Sequence, residues 1–150
     1  MKLKVLYLDH FKGKEIKKSF EDSGYDLYAS LDKPLTLKPM EIATIPLGIS
    51  VEVDGKCPEG FNWGLRITGR SGLNSKGVLA TVGTIDSGYR GELKTTIINL
   101  SGKDYTFEPG HRVCQLLVVL KAHCEVVKVE SENEFSGSER QEKAFGSSGL

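Results

Sequence analysis

The chain has 150 residues, a length that suits one domain. Its 20 Lys+Arg balance 20 Asp+Glu, which argues against a protein held on nucleic acid by bulk charge. With 39% hydrophobic and 27% charged residues, it has neither a disordered nor a membrane composition; no apolar run approaches the ~18 residues that span a bilayer, and the N-terminal MKLKVLYLDHFKGKEIKK reads as no signal peptide. Three cysteines without CxxC spacing (Cys57, Cys114, Cys124) and three scattered histidines (His10, His111, His123) speak against a disulfide scaffold or a zinc site, and the default is a reducing cytosol.

In chain order, Leu3, Val5 and Tyr7 alternate as an opening strand does. Ser23-Gly24-Tyr25-Asp26-Leu27-Tyr28-Ala29 reads as a strand carrying one acid. The stretch Glu41–Val53 is rich in Ile, Val and Thr and is broken in two by Pro46 and Gly48. Further strand-like runs are Phe61–Thr68, Val78–Val82, Glu92–Leu100, Arg112–Leu120 and His123–Glu130. Turn signals separate them, and Leu73–Gly77 is a helical turn at most. Many short strands at regular spacing indicate an all-β sandwich or jelly roll. Residues 1–130 form this body. Residues 131–150, rich in Ser, Glu and Gly, read as a mobile C-terminal arm with an aromatic, Phe145, near its tip.

Five stretches carry polar chemistry. Asp26, among apolar and small neighbours, must be solvated, paired or near a cation; a turn or edge-strand acid is the commoner case. Gly69-Arg70-Ser71-Gly72-Leu73 joins a planar fork of donors, a hydroxyl and flexible backbone, which suits phosphate and equally a polar loop. Gly83-Thr84-Ile85-Asp86-Ser87-Gly88-Tyr89-Arg90-Gly91-Glu92 reads as a β-hairpin turning at Ser87-Gly88. Backbone amides at its mouth can meet the edge of a base, and Asp86 can deprotonate a water. A plain hairpin with a turn aspartate and a packing tyrosine is the simpler account. In Gly110–Leu116, Gln115 interrupts an apolar strand and needs partners, Cys114 reads as a small buried hydrophobe, and His111 as a surface turn residue. In the arm, Arg140 and the serines suit phosphate and Phe145 suits a base.

Together and in this order, the five stretches closely resemble the five motifs of the trimeric deoxyuridine triphosphatase (dUTPase) family, from Gly24 to Gly149. The resemblance implies a jelly-roll-like β-clip fold, a homotrimer with a swapped C-terminal arm, and active sites shared among subunits. It implies hydrolysis of dUTP to dUMP and pyrophosphate with Mg²⁺, in the cytoplasm, or in the nucleus or host cytoplasm of a eukaryotic or viral source. No nucleic acid or membrane partner is implied. Asp86 would activate the water that attacks the α-phosphorus. Tyr89 would pack under the deoxyribose, and backbone groups of Gly83, Thr84 and Ile85, with the strand near Lys94, would read uracil. Arg70, Ser71, Gly72 and Gln115 would hold the phosphates, with Arg70 and Gln115 stabilising charge in the reaction. Asp26 would meet Mg²⁺ through water. Arg140, Gly146 and Ser147 would engage the γ-phosphate end while Phe145 covers the uracil.

The chain departs from the family pattern at three places. Gly69 stands where many relatives have proline, Ala80 where asparagine is common, and the arm lacks glycines between Arg140 and Phe145. A bifunctional dCTP deaminase/dUTPase of the same fold would need an extra acid in the strand after the hairpin, and Leu93–Asn99 has none. A regulatory binding protein on the same nucleotide-dependent frame is the alternative from another class.

Overall fold

A computed structural model describes residues 1–137. Arg140, Phe145, Gly146 and Ser147, named above for the arm, lie outside the described residues.

Period-two patterning becomes antiparallel sheet throughout. The strands are β1 (Lys2–Tyr7), β2 (Tyr25–Tyr28), β3 (Leu35–Leu37), β4 (Ile42–Pro46), β5 (Ile49–Asp54), β6 (Phe61–Thr68), β7 (Val78–Ala80), β8 (Gly83–Ile85), β9 (Lys94–Asn99), β10 (Tyr105–Phe107) and β11 (Arg112–Ala122). One four-residue helix, α1 (Ser71–Asn74), follows β6. The strands form four sheets ordered β1-β5, β3-β10, β2-β11-β6-β8 and β4-β9-β7. As anticipated, Pro46 and Gly48 separate β4 from β5. Gly48 has φ +65°, and a Cβ there would lie 2.9 Å from Phe11 Cα, so the turn requires glycine.

Alternate residues of these strands meet in one core. Leu27, Ile45, Leu47, Ile49, Ile97, Phe107, Val113 and Leu116 are each at most 1% exposed. Each large side chain so buried contributes about 1.5–3 kcal/mol against exposure. Asn99, also buried, has its amide satisfied: Nδ2 donates to Leu37 O and Lys103 O, at 2.8 and 2.9 Å, and Oδ1 accepts from Ser101 N and Oγ.

Two expectations change. The run His123–Glu130 forms no strand. His123 N–H donates to Gly60 O at 2.8 Å; beyond it Val126 and Val127 are 96% and 70% exposed, and neither pairs with a described strand. The segment from Gly83 to Glu92 is not a closed hairpin. β8 pairs with β6, whereas β9 pairs with β4 and β7, so the two strands flanking the turn belong to different sheets. Glu132–Glu134 is a 3₁₀ turn with Ser131 at its N-cap, where the N–H groups of Ser131 and Glu130 donate to Glu134 Oε1 at 3.1 and 2.7 Å.

Candidate active site

The opening between β8 and β9 makes the first half of the site. β7 and β9 run as a ladder up to Thr81, whose N–H donates to Thr96 O at 2.8 Å. Beyond that bond the chain crosses to β6 in the register Leu65↔Ile85, Arg66↔Thr84 and Ile67↔Gly83. β8 is the last strand of its sheet, so its far edge presents unpaired backbone N–H and C=O groups. On the opposite side, Leu93 is pinned to the β4–β5 turn by Leu93 N→Ile49 O at 2.8 Å and Leu47 N→Leu93 O at 3.0 Å. The resulting cleft, of about 350 Å³, is lined by Gly83, Thr84, Ile85, Asp86, Tyr89 and Lys94 among others. All six were singled out from sequence. Free main-chain edges around a space of this size suit a flat heterocycle with its own donors and acceptors.

At the cleft mouth, Tyr89 N–H donates to Asp86 O at 3.0 Å, closing a four-residue turn through Ser87-Gly88. The Asp86 side chain is exposed, and no described side chain or backbone group bonds its carboxylate, which leaves both oxygens available to a water. Arg90 braces the turn: its guanidinium donates to Ser87 O at 2.7 Å and Tyr89 O at 3.0 Å, and reaches Glu52 Oε1 at 3.0 Å.

The second half stands at the other edge of the β2-β11-β6-β8 sheet. The β11 register sets Gln115 opposite both Asp26 on β2 and Thr68 on β6. Asp26 is paired with two cations, Arg70 Nε to Oδ1 at 2.9 Å and Arg112 NH1 to Oδ2 at 3.0 Å. Gln115 Nε2 donates to Gly69 O at 3.0 Å, which holds the loop carrying Arg70 against β11. Ser71 and Gly72 are exposed at the start of α1, and a Cβ added to Gly72 would meet nothing within 4 Å. A polar cleft of about 310 Å³ here is lined by Lys17, Ser23, Asp26, Arg112 and Gln115 among others. Its cations and amide suit phosphate oxygens.

Arg112 was not singled out from sequence; the signal for it lay in Asp26, whose carboxylate needed more than one partner. Cys114 packs in the core as expected, and burial pushes its thiol up to about 12. His111 is a surface turn residue, its Nδ1 accepting from Glu108 N–H at 3.1 Å.

The two clefts share no lining residue. They lie at opposite edges of one sheet, β2 and β8 being three strand spacings, roughly 14 Å, apart. Among the described residues no group of three His, Cys, Asp or Glu is placed to hold a metal ion. Nor, among the described residues, is any helix long and apolar enough to cross a membrane.

The sequence profile of the dUTPase family matches residues 15–149. The chain is similar to the deoxyuridine 5'-triphosphate nucleotidohydrolase of Orientia tsutsugamushi (strain Ikeda), with 40% identity covering 100% of this chain and 99% of that one. It is also similar to the enzyme of the same name from Finegoldia magna, with 39% identity over 85% of each chain. Among solved structures it superposes on the Staphylococcus bacteriophage 80alpha dUTPase with dUPNHPP, with a TM-score of 0.83, 29% identity and 99% of both chains covered.

Proposed function

The chain belongs to the dUTPase family, and from that premise we propose how its two clefts divide the work of the reaction. It is a hydrolase that converts dUTP and water to dUMP and pyrophosphate. The observation that carries the assignment of roles is the cleft between β8 and β9, where the free edge of β8 and the start of β9, beyond its pairing with β7, flank a space with a free carboxylate, Asp86, at its mouth.

In this reading the backbone of Gly83, Thr84 and Ile85 and the β9 edge at Lys94 take the uracil, and Tyr89 walls the deoxyribose. Asp86 accepts a proton from a water as that water's oxygen attacks the α-phosphorus. The bond from the α-phosphorus to the bridging oxygen then breaks and pyrophosphate departs. Arg70, Ser71, Gly72 and Gln115 bind the phosphates, and Arg70 and Gln115 stabilise the charge that develops on the departing oxygens.

Magnesium is the cofactor this reading assigns. With one carboxylate and no protein cage among the described residues, the donor set fits an ion that keeps its waters and takes substrate phosphate oxygens as ligands, Asp26 reaching it through water. Bound there, the ion would neutralise phosphate charge.

The separation of the clefts to opposite sheet edges supports a site completed between copies of the chain. Asp86 of one copy would face the Arg70–Gln115 cluster of another within a homotrimer, and the arm carrying Arg140, Phe145, Gly146 and Ser147 would close from a third. Residues 1–130 are then the catalytic body and 131–150 the arm. The cytoplasm is the compartment this reading assigns.

The test is pyrophosphate release from dUTP with Mg²⁺, with dCTP, dTTP and UTP alongside. Release from dUTP alone is expected. Release from dCTP as well would favour the bifunctional deaminase, although β9 carries no acid for it. No release from any nucleotide by a trimeric sample would favour a binding protein on the same frame.

A further inference from the structure

Tyr89 does not reach its place alone. Its ring lies against the backbone of Gly91: a Cβ added there would stand 2.6 Å from Tyr89 Cζ, so no larger residue fits beneath it. Its hydroxyl donates to Glu92 O at 3.0 Å. The ring position therefore depends on where Glu92 is held.

Glu92 is held by its side chain from two directions. Oε1 accepts the Gly48 N–H at 3.0 Å and the His10 Nε2–H at 2.7 Å. An ionised carboxylate only accepts, which makes His10 the donor through Nε2. His10 lies in the turn after β1, and that turn docks on the same glycine, since Leu8 N–H donates to Gly48 O at 2.9 Å. The Glu92 side chain is 21% exposed and the His10 side chain 44%; the bond from Gly48 is part-buried and the bond from His10 is at the surface. A continuous set of contacts thus runs from His10 through Glu92 to the Tyr89 ring, across 82 residues of sequence between the first two.

We propose that His10 and Glu92 are positioning residues which fix the Tyr89 ring as the sugar-facing wall of the cleft and so set the preference for deoxyribose over ribose. The inference rests on the reading of Tyr89 given above. A ring held at one depth leaves a fixed space beneath the sugar, and a 2′-hydroxyl is refused only while the ring cannot retreat. His10 does not line the cleft, whereas Glu92 does, so His10→Ala is the variant that reports on positioning free of any direct contact.

The experiment compares steady-state kinetics on dUTP and UTP for His10→Ala, Glu92→Ala, the double variant, and Glu92→Gln, with thermal denaturation alongside. The first two are expected to raise KM for dUTP about threefold to tenfold, the scale of one net hydrogen bond, with kcat changed by less than about twofold. The dUTP/UTP ratio of kcat/KM should fall. Coupling through one carboxylate should make the double variant no worse than Glu92→Ala. Glu92→Gln, which retains a carbonyl for Gly48 and His10, should recover most of the ratio. A lowered Tm with an unchanged dUTP/UTP ratio would overturn the proposal, leaving the pair a structural tie. If Glu92→Ala fails to fold, His10→Ala and Glu92→Gln decide by the same criterion. Tyr89→Ala separates the two levels: if it leaves the ratio untouched, the reading of Tyr89 fails, whereas a ratio moved by Tyr89→Ala but not by His10→Ala or Glu92→Ala overturns the positioning role alone.

Discussion

Asp26 and Arg70 are 44 residues apart in the sequence and meet at 2.9 Å, carboxylate Oδ1 to guanidinium Nε. Because Asp26 takes Nε, the terminal nitrogens of Arg70 stay available as a fork, and no described side chain occupies them. Arg112 closes on the other carboxylate oxygen at 3.0 Å. One acid therefore holds two cations; Arg112 lines the cleft beside Gln115, and Arg70 is not among that cleft's lining residues.

Replacing this acid tests that arrangement. Asp26→Asn keeps the shape and removes the charge. The pair is about one-third exposed, so stability should fall by no more than about 1 kcal/mol. KM for dUTP and the Mg²⁺ concentration for half-maximal rate should both rise. The measurement is a Mg²⁺ titration of pyrophosphate release; an unchanged Mg²⁺ requirement would remove Asp26 from the metal site.

Asp86→Asn should behave differently. Turnover should drop about 10²-fold or more, the scale of losing a general base, while affinity for a non-hydrolysable dUTP analogue, read by calorimetry, stays near that of the parent. Turnover within a few fold of the parent would mean that another group takes the proton.

The thiols provide a test of burial that is independent of catalysis. Cys114 is buried, Cys57 half-buried and Cys124 exposed. At pH 8, iodoacetamide should modify Cys124 first, Cys57 more slowly, and Cys114 only after unfolding. Burial raises the Cys114 thiol from an ordinary value near 9.0 to about 12. The folded state thus retains a proton that the unfolded chain loses at lower pH. Its contribution to stability is complete below about pH 9 and declines as pH rises toward 12, which denaturant midpoints across that range should follow.

Deleting residues 138–150 should leave the body folded, since the core residues lie between Leu27 and Leu116. Light scattering should still report a trimer, and dUTP turnover should fall to a small fraction of that of the full chain. A monomeric truncation would assign the tail a structural role, and a fully active one would remove the arm from the site.

Most of the framework is legible in local pattern. β1 lies where alternation of apolar and polar residues places it, and β4, β5, β6 and β11 lie within the runs that their β-branched and apolar content marks as strands. Pro46 and Gly48 mark the break between β4 and β5 because one lacks an N–H and the other adopts positive φ. β3 and β10, of three residues each, are not among the runs read from the sequence; they pair with one another across 70 residues of chain. His123–Glu130 has the composition of a strand, but composition supplies no partner edge, and pairing is what makes a strand.

The residue types at Asp86, Arg70, Gln115 and Tyr89 each leave an ordinary structural role open; what points to the chemistry in the sequence is five such stretches in one order and the family resemblance they carry. Only the tertiary structure decided what those residues face. Two sheets diverge at Thr81 and open the cleft between β8 and β9. The β2-β11-β6 ladder brings Asp26, Gln115 and the Arg70 loop together, and His10 reaches Glu92 from the other end of the chain. These are hydrogen bonds and register choices between segments tens of residues apart, and their energies depend on distance in space, which no local pattern of residues encodes.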